Sequence, residues 1–241
     1  MRLSRRAFIA ATGAALGHGT AAMAAQPLLL RRGINLWPWF SLTREHPAPR
    51  TDYDWPPFQL DRPVPSARDL ALLRRAGFDF VRLPVDPGPF LAAPLSLRAA
   101  LLDQLTAAVT LARRQGLAVV VNLHANAATH HWTPERLFRG TGAPGFPAYR
   151  DLVEEVSGRL NRLGPQDLAF EPVNEPPQSC GAAEWADVQR QLLAAARGVA
   201  PGLTLLATGA CGSMIAGLPS LRTRPLAAFE PLLFTFHFYE P

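Results

Sequence analysis

A glutamate near the middle of the chain has a position that suits acid–base chemistry. Glu175 ends the apolar segment 168–176, directly after Asn174 and directly before Pro176. The following proline restricts the backbone at Glu175. A carboxyl group at the mouth of an apolar pocket can stay protonated near neutral pH, because burial or a nearby negative charge raises its pKa. Such a group can protonate a departing oxygen, and cleavage of a glycosidic bond needs this proton donor together with a second carboxyl group.

Other polar residues are found where predicted strands end. Glu171 lies earlier on the same predicted strand as Glu175 and is interpreted as a structural or supporting carboxylate. Asn174 is placed to hydrogen-bond a hydroxyl group of a sugar. The full set at strand ends comprises Asn35, Arg82, His124, Asn174, Glu175, His237 and Tyr239.

Strands and helices alternate along the chain, which predicts a parallel sheet with helical crossovers. The hydrophobic pattern predicts strands at 28–36, 78–83, 117–123, 167–173, 203–207 and 232–238, with Pro84 closing the second. Helices are predicted at 66–75, 96–116, 148–163 and 184–199, a loop at 126–147, and a loop with a short helix at 210–228. A closed parallel barrel gathers its strand ends into one pocket. An open doubly wound sheet usually has a Gly-rich loop after its first strand, and none is present. The prediction is therefore an α/β TIM barrel.

Composition and charge favour a globular protein that does not bind nucleic acid. Apolar residues make up 48% of the chain and charged residues 18%. The formal net charge of +5 falls to about +2 (5 − 3) without Arg2, Arg5 and Arg6, and the remaining arginines are scattered, so no nucleic-acid partner is expected.

Residues 1–25 have the charged head, apolar middle and small residues of a secretion signal, and the paired arginines are typical of the twin-arginine type. A basic N-terminal helix is the alternative.

The same features predict a periplasmic or secreted location. No later apolar run appears long enough to cross a membrane, so no membrane span is expected. In an exported protein the two cysteines, Cys180 and Cys211, can form a disulfide. Two independent thiols are the equal alternative.

Five short motifs in the chain resemble glycoside hydrolase family 5, the cellulase family of retaining barrel enzymes. They lie at 33–36, 81–84, 121–124, 170–176 and 236–241, and each falls at the end of a predicted strand. The resemblance extends over about 31–241, and the barrel domain is assigned to 26–241. It implies hydrolysis of β-1,4-glucan by a double-displacement mechanism, with no cofactor. The expected partner is a β-glucan polysaccharide or oligosaccharide, and the expected state is a monomer.

The resemblance also implies roles for individual residues. Glu175 is the acid/base, and Asn174 binds the 2-hydroxyl of the cleaved sugar. Arg82 holds the nucleophilic carboxylate ionised, or alternatively forms a strand-end salt bridge. His124 lines the same subsite, or alternatively is a core histidine. His237 and Tyr239 complete the hydrogen-bond network around the carboxylates.

Tryptophans near the first strand are candidate sugar platforms. Trp37 and Trp39 follow the first strand, with Asn35 at its end, and these three residues are predicted to bind substrate. The alternative is that Trp37, Trp39 and Trp132 pack loops onto the barrel. His130 and His131 are adjacent, so their side chains point apart, and no carboxylate or cysteine has ligand spacing; no metal site is expected.

The resemblance places the nucleophilic glutamate on a seventh strand, and the chain is read as strands one to six of eight. The second carboxylate is therefore expected outside these 241 residues; Glu240 is interpreted as a loop residue. Three explanations are open: a piece of a longer enzyme, an inactive truncated product, or a non-catalytic protein that still binds carbohydrate. Within the enzyme class, a β-mannanase or a β-1,3-glucanase is the alternative activity.

Overall fold

The computed structural model of the protein describes residues 28–58 and 64–239. The predicted secretion signal at 1–25 and the predicted loop residue Glu240 lie outside these ranges. Six parallel strands form one sheet in the order β1 to β6. They are β1 (Gly33–Asn35), β2 (Phe80–Val85), β3 (Ala118–Leu123), β4 (Leu168–Glu171), β5 (Thr204–Thr208) and β6 (Leu232–Thr235). The sequential parallel order matches an incomplete TIM barrel, as predicted.

Helices connect the strands and cover one face of the sheet. They are α1 (Ala67–Arg75), α2 (Gly88–Ala92), α3 (Leu95–Arg114), α4 (Pro134–Phe138), α5 (Phe146–Arg162) and α6 (Ala183–Val199). Short 3₁₀ turns lie at Pro165–Asp167, Ile215–Ser220 and Arg224–Phe229. Helix α1 begins as predicted: the Ser66 hydroxyl accepts the Asp69 N–H, and the Asp69 carboxylate accepts the Ser66 N–H.

Two apolar layers lie on opposite faces of the sheet. Alternate residues such as Val119 and Val121 of β3 pack into the large core against the helices. The residue between them, Val120, faces the other way and joins Ala169 and Leu206 in a small inner cluster. Side chains alternate across a strand, so the inner face continues toward the strand ends with polar residues. This alternation carries Arg82 and Glu171 to the inner face.

Several predicted strand boundaries need correction. The first strand is three residues long rather than nine, because the N–H groups of Arg31 and Arg32 are bonded to the Asp79 carboxylate and not to a neighbouring strand. Pro84 lies within β2 instead of closing it. Its carbonyl accepts the Ser41 hydroxyl on the side where β1 has ended, so the missing proline N–H removes no ladder bond. The sixth strand ends at Thr235.

The connections also differ from the prediction. The predicted loop at 126–147 contains α4, which begins where the Thr133 hydroxyl accepts the Arg136 N–H. Helix α2 follows β2 without having been predicted, and α5 begins at Phe146, two residues before its predicted start.

Helix α3 bears on the expectation that no segment could cross a membrane. Within the described residues, this 20-residue helix is long and apolar enough to do so by length and composition alone. A core helix passes the same test. Residues such as Leu101, Leu105 and Val109 are buried against the rest of the fold, and a third of the apolar window of α3 is buried in all.

Candidate active site

A cavity of about 560 Å³ lies at the carboxyl ends of the strands. Of the residues predicted at strand ends, His124, Asn174 and Glu175 line it, together with Trp37. Asn35, Arg82, His237 and Tyr239 are not among its lining residues. Parallel strands of a barrel bring their carboxyl ends to one face, so residues far apart in sequence meet there. A second cavity of about 520 Å³ lies beside the first and shares the lining residues Glu135 and Gln178 with it.

Arg82 is the centre of a hydrogen-bond network below the cavity. Its Nε donates to Glu171 Oε2 at 2.7 Å, and its two terminal nitrogens donate to Asn174 Oδ1 at 2.9 Å and to Asn35 Oδ1 at 3.3 Å. Glu171 is buried, with 1% of its surface exposed. The resemblance implied that Arg82 holds a nucleophilic carboxylate. In the described part of the chain, the carboxylate bound to Arg82 is Glu171.

His124 extends this network into the cavity. Because Asn174 Oδ1 accepts from Arg82, the amide nitrogen of Asn174 faces His124 Nε2, at 3.3 Å. A ring nitrogen that accepts a hydrogen bond belongs to a neutral imidazole. The pKa of His124 is lowered to about 4, mainly because the ring is buried and secondly because Arg82 is positively charged. The ring centroid of Trp37 lies 5.2 Å from that of His124, so an aromatic surface borders the neutral histidine.

Glu175 faces the cavity from the loop after β4 and has a left-handed backbone (φ 45°). His237 Nδ1 lies 2.8 Å from Glu175 Oε1, and the Tyr239 hydroxyl donates to the same oxygen at 3.4 Å. The hydrogen bond from His237 lowers the pKa of Glu175, against the opposing effect of burial. A proton donor near neutral pH needs a raised pKa, and the sequence led us to expect one for Glu175. Within the described residues this expectation is wrong, because the groups acting on Glu175 are histidines and a tyrosine rather than an anion.

The tryptophans divide between the cavity and the core. Trp37 lines the cavity and is 45% exposed. Trp39 was predicted to bind sugar, but it is only 7% exposed and packs among core residues beside Phe40. Its indole face is therefore covered, and this assignment is corrected. The indole N–H of Trp132 donates to the Thr51 carbonyl at 2.9 Å, which fixes Trp132 to the loop that contains Thr51.

Several cavity residues were missed by the sequence argument. Asp86 directly follows β2, so the strand-end pattern contained a signal for it. It is buried, which raises its pKa to about 6, although Thr43 Oγ1 donates to it at 2.5 Å and the Gly88 N–H at 2.9 Å. Leu42 lines the cavity with a left-handed backbone (φ 54°) that no sequence pattern indicated.

The histidine pair in the loop after β3 makes local contacts. The ring Nδ1 and the backbone N–H of His130 lie 2.8 Å and 2.7 Å from Glu45 Oε2. The ring of His131 packs edge-on against Trp132. Among residues 28–58 and 64–239, no group of three histidine, cysteine, aspartate or glutamate side chains could hold a metal ion.

The two cysteines form a disulfide across two loops of the site. Cys180, in the loop after β4, is bonded to Cys211, in the loop after β5. Of the two alternatives left open by the sequence, the structure has the disulfide rather than separate thiols. Cys211 lines the cavity. Sequence spacing alone carried no signal for this pairing.

Solved structures that resemble the chain include a hyperthermophilic endo-β-1,4-glucanase in complex with substrate (20% identity, TM-score 0.67, covering 88% of this chain and 61% of that one). Thermotoga maritima Cel5A resembles it equally in complexes with cellobiose and with mannotriose (20% identity, TM-score 0.67, covering 87% of this chain and 60% of those chains). The chain thus spans about three fifths of these structures. No curated protein sequence matches it. The model of the cellulase family, glycosyl hydrolase family 5, matches residues 49–241. Because this match covers most of the chain, the chain belongs to glycosyl hydrolase family 5.

Proposed function

We propose that this site belongs to a glycoside hydrolase that cleaves β-1,4-glucan, with Glu175 as the proton donor. The observation that carries the proposal is the position of Glu175 in the cavity, beside Asn174, whose amide is fixed by Arg82 and His124. A fixed amide beside a carboxyl group suits a sugar hydroxyl next to the bond that breaks. Family membership and the endoglucanase neighbours support the same activity.

The proposed mechanism is a retaining double displacement. A second carboxylate, from outside the six described strands, attacks the anomeric carbon while Glu175 gives its proton to the departing glycosidic oxygen. Glu175 then takes a proton from water, which displaces the carboxylate. In a retaining enzyme the two carboxyl groups stand about 5 Å apart.

The lowered pKa of Glu175 fits this scheme only when the second carboxylate is nearby. In the described residues, His237 favours the ionised form of Glu175. A second negative charge within about 5 Å would oppose it and raise the pKa of Glu175, as required for a proton donor. Glu175 is therefore proposed to become the acid only when a negative charge lies nearby, either from the partner carboxylate or from an anion that takes its place.

Two alternatives rest on specific observations. Mannan is an alternative substrate, because a structural neighbour, Cel5A, has been solved with mannotriose; a β-1,3-glucan is a further alternative. A non-catalytic carbohydrate-binding protein is the alternative outside the enzyme class, favoured by the lowered pKa of Glu175.

We also propose that the protein acts as a monomer in the periplasm or outside the cell, after export by the twin-arginine route. The disulfide between Cys180 and Cys211 supports export, since disulfides persist mainly in oxidising compartments. No cofactor is proposed, because two carboxyl groups suffice for the chemistry.

Azide provides a test on the 241-residue chain, since a small anion can take the place of an absent nucleophile. Attack of azide on the anomeric carbon breaks the glycosidic bond, and the leaving oxygen takes its proton from Glu175. We expect no hydrolysis of carboxymethylcellulose by the chain alone. With azide, cellotetraose should yield a glycosyl azide that mass spectrometry detects.

The variants Glu175→Gln and Glu154→Gln separate the proton donor from a general effect of removing a carboxylate. Glu175→Gln should lower azide-dependent cleavage by about 10²- to 10⁴-fold. Glu154→Gln changes an exposed carboxylate on α5 and should leave cleavage unchanged. Hydrolysis without azide would overturn the proposed absence of a nucleophile. Binding of cellotetraose with no azide product would support the non-catalytic alternative.

A further inference from the structure

Residues 211–215, after β5, lie between two other segments of the protein. One of these segments contains Glu175 and the other contains His237. We call residues 211–215 the linking segment. On one side, its Gly212 N–H donates to the Pro176 carbonyl at 3.0 Å, and its Cys211 N–H donates to the Gln178 carbonyl at 2.9 Å. Both acceptors follow Glu175 within three residues. One edge of the linking segment is therefore bonded to the chain immediately after the candidate proton donor.

The opposite edge of the linking segment is bonded to His237. The His237 N–H donates to the Ser213 carbonyl at 2.7 Å, and the His237 carbonyl accepts the Ile215 N–H at 3.3 Å. Both backbone groups of His237 are thus occupied by one short segment. The contact between the His237 ring and the Glu175 carboxylate, at 2.8 Å, joins two side chains whose backbones are held by the same five residues.

The conformation of the linking segment is unfavourable by itself. Cys211, Gly212 and Ser213 have consecutive left-handed backbones, with φ of 66°, 62° and 60°. Two of them are not glycine, and such residues persist in this region only where the surroundings fix them. The disulfide from Cys211 to Cys180 is one such restraint.

A second restraint comes from Gln178. Its side-chain amide donates to the carbonyls of Phe138 at 2.6 Å and Arg139 at 2.9 Å, at the end of α4. Gln178 therefore anchors the chain after Glu175 to α4, while its own carbonyl accepts the Cys211 N–H. The linking segment is therefore held from the Glu175 side by the disulfide and by this anchored part of the loop after β4.

We propose that the linking segment, locked by the Cys180–Cys211 disulfide, is a positioning element that sets the contact between His237 and Glu175. The importance of this contact for catalysis rests on the proposed function of Glu175 as the acid/base. The linking segment touches the reacting groups only through His237 and the backbone after Glu175. Its residues are positioning residues rather than catalytic ones.

The titration of Glu175 distinguishes a positioning element from a simple cross-link. The His237 hydrogen bond is the main cause of the lowered pKa of Glu175. If the linking segment sets this bond, the double variant Cys180→Ser/Cys211→Ser should move the pKa of Glu175 upward, toward the ordinary value of 4.5. If the disulfide only staples the fold, stability should fall and the titration should stay unchanged.

The measurement is a carboxyl-carbon NMR titration of protein labelled at glutamate, with the Glu175 signal assigned through Glu175→Gln. The matched control is Ser66→Ala, which removes the capping interaction of α1 and destabilises the fold away from the site. We expect the Glu175 pKa to rise in the folded double variant and to stay at its wild-type value in the control. An unchanged Glu175 pKa in the double variant would overturn the proposal.

A second variant covers the case in which the double variant fails to fold. Gly212→Val keeps the disulfide but places a β-branched residue where φ is 62°, which disfavours the left-handed backbone. The same upward shift is expected there, and its absence again refutes the proposal. None of these titrations depends on hydrolysis, so the positioning role and the glycosidase activity can fail independently.

Discussion

Arg82 of β2 joins the ends of two other strands through one guanidinium group. It binds Asn35, the last residue of β1, Glu171, the last residue of β4, and Asn174 beyond β4. Burying the Glu171 carboxylate without this partner would leave an uncompensated charge, at a cost of about 3 kcal/mol or more. The same group fixes which atom of Asn174 faces His124. A single residue thus supports both the stability of the inner face and the orientation of the substrate-facing amide.

His124 should make the stability of the protein depend on pH. Its pKa is about 4 in the folded state and near 6.5 in the unfolded chain, so between these values the unfolded state binds a proton that the folded state does not. Stability due to this group is fully present above 6.5 and is lost as the pH falls toward 4. His124→Gln removes this contribution. The difference in unfolding free energy between wild type and variant should therefore shrink on acidification.

Urea denaturation at about pH 7.5 and about pH 5 measures this difference. Other titrating groups are common to both proteins and largely cancel. Two curves that run parallel between these pH values would contradict the assigned state of His124.

Most of the polar residues of the site could be predicted from the sequence, because a polar residue directly after an apolar run marks the end of a strand. Asn174 is bonded to both Arg82 and His124, and His237 and Tyr239 contact Glu175. Their distances and protonation could not be predicted, since these depend on neighbours up to 92 positions away. Trp39 was misassigned because a tryptophan after a strand fits a core and a sugar platform equally well.

Among the connecting elements, the 3₁₀ turn Ile215–Ser220 approaches the chain after β5 so closely that only glycine fits. A Cβ atom at Gly217 would lie 2.4 Å from the Ala210 carbonyl oxygen, and one at Gly209 would lie 3.0 Å from the Gly217 backbone. Because the obstacles are backbone atoms, no side-chain movement can relieve them. The linking segment, which carries Cys211 and Ser213, is therefore flanked by residues that pack backbone against backbone.

Two glycine-to-alanine variants should change stability in opposite directions. Gly217→Ala should destabilise the protein and lower Tm, because the backbone must shift. Gly198→Ala lies within α6, where a Cβ atom meets nothing within 4 Å, and should stabilise by about 0.5–1 kcal/mol through helix propensity. Thermal unfolding followed by circular dichroism measures both. A Gly217→Ala protein as stable as wild type would show that the close approach is absent in solution.

Element types were predictable where the local sequence and the packing agreed. The capping pair Ser66 and Asp69 marked the start of α1, and the β-branched run at 118–123 marked β3. Boundaries failed where tertiary contacts decided them: Asp79 ends the pairing of β1, and Pro84 is tolerated in β2 because β1 has already ended. The short helices α2 and α4 have too few residues to show a periodic pattern.

For the molecule as a whole, the strand order β1 to β6 protects the central strands from local opening more than the two edge strands. Strands β3 and β4 each have two neighbours, and every residue of β4 is buried. Strands β1 and β6 end the order, with Ile34 and Phe234 exposed at 40% and 45%. Local opening is easiest where few buried contacts must break. Stability should therefore fall from the centre of the sheet toward its edges.

Amide hydrogen exchange should reveal this gradient. We expect the backbone amides of β3 and β4 to exchange slowest and those of β1 and β6 to exchange much faster, in measurements at two protein concentrations. Equal protection of β6 and β3 at both concentrations would contradict an open edge. Protection of β6 that rises with concentration would instead show association through that edge, against the proposed monomer.

Tyr239 gives the protein an internal optical reporter of its own site. The chain has three tyrosines. Tyr53 and Tyr149 are buried, which raises the pKa of each phenol far above the ordinary range, whereas Tyr239 is 72% exposed. Partial burial and the neighbouring Glu175 carboxylate raise the pKa of Tyr239 as well. The first phenolate absorbance on titration to alkaline pH, and chemical nitration of tyrosine, should still come from Tyr239, because its side chain is the exposed one of the three. Because its hydroxyl contacts Glu175, which lines the cavity, the Tyr239 phenol should report a ligand bound there without an added label.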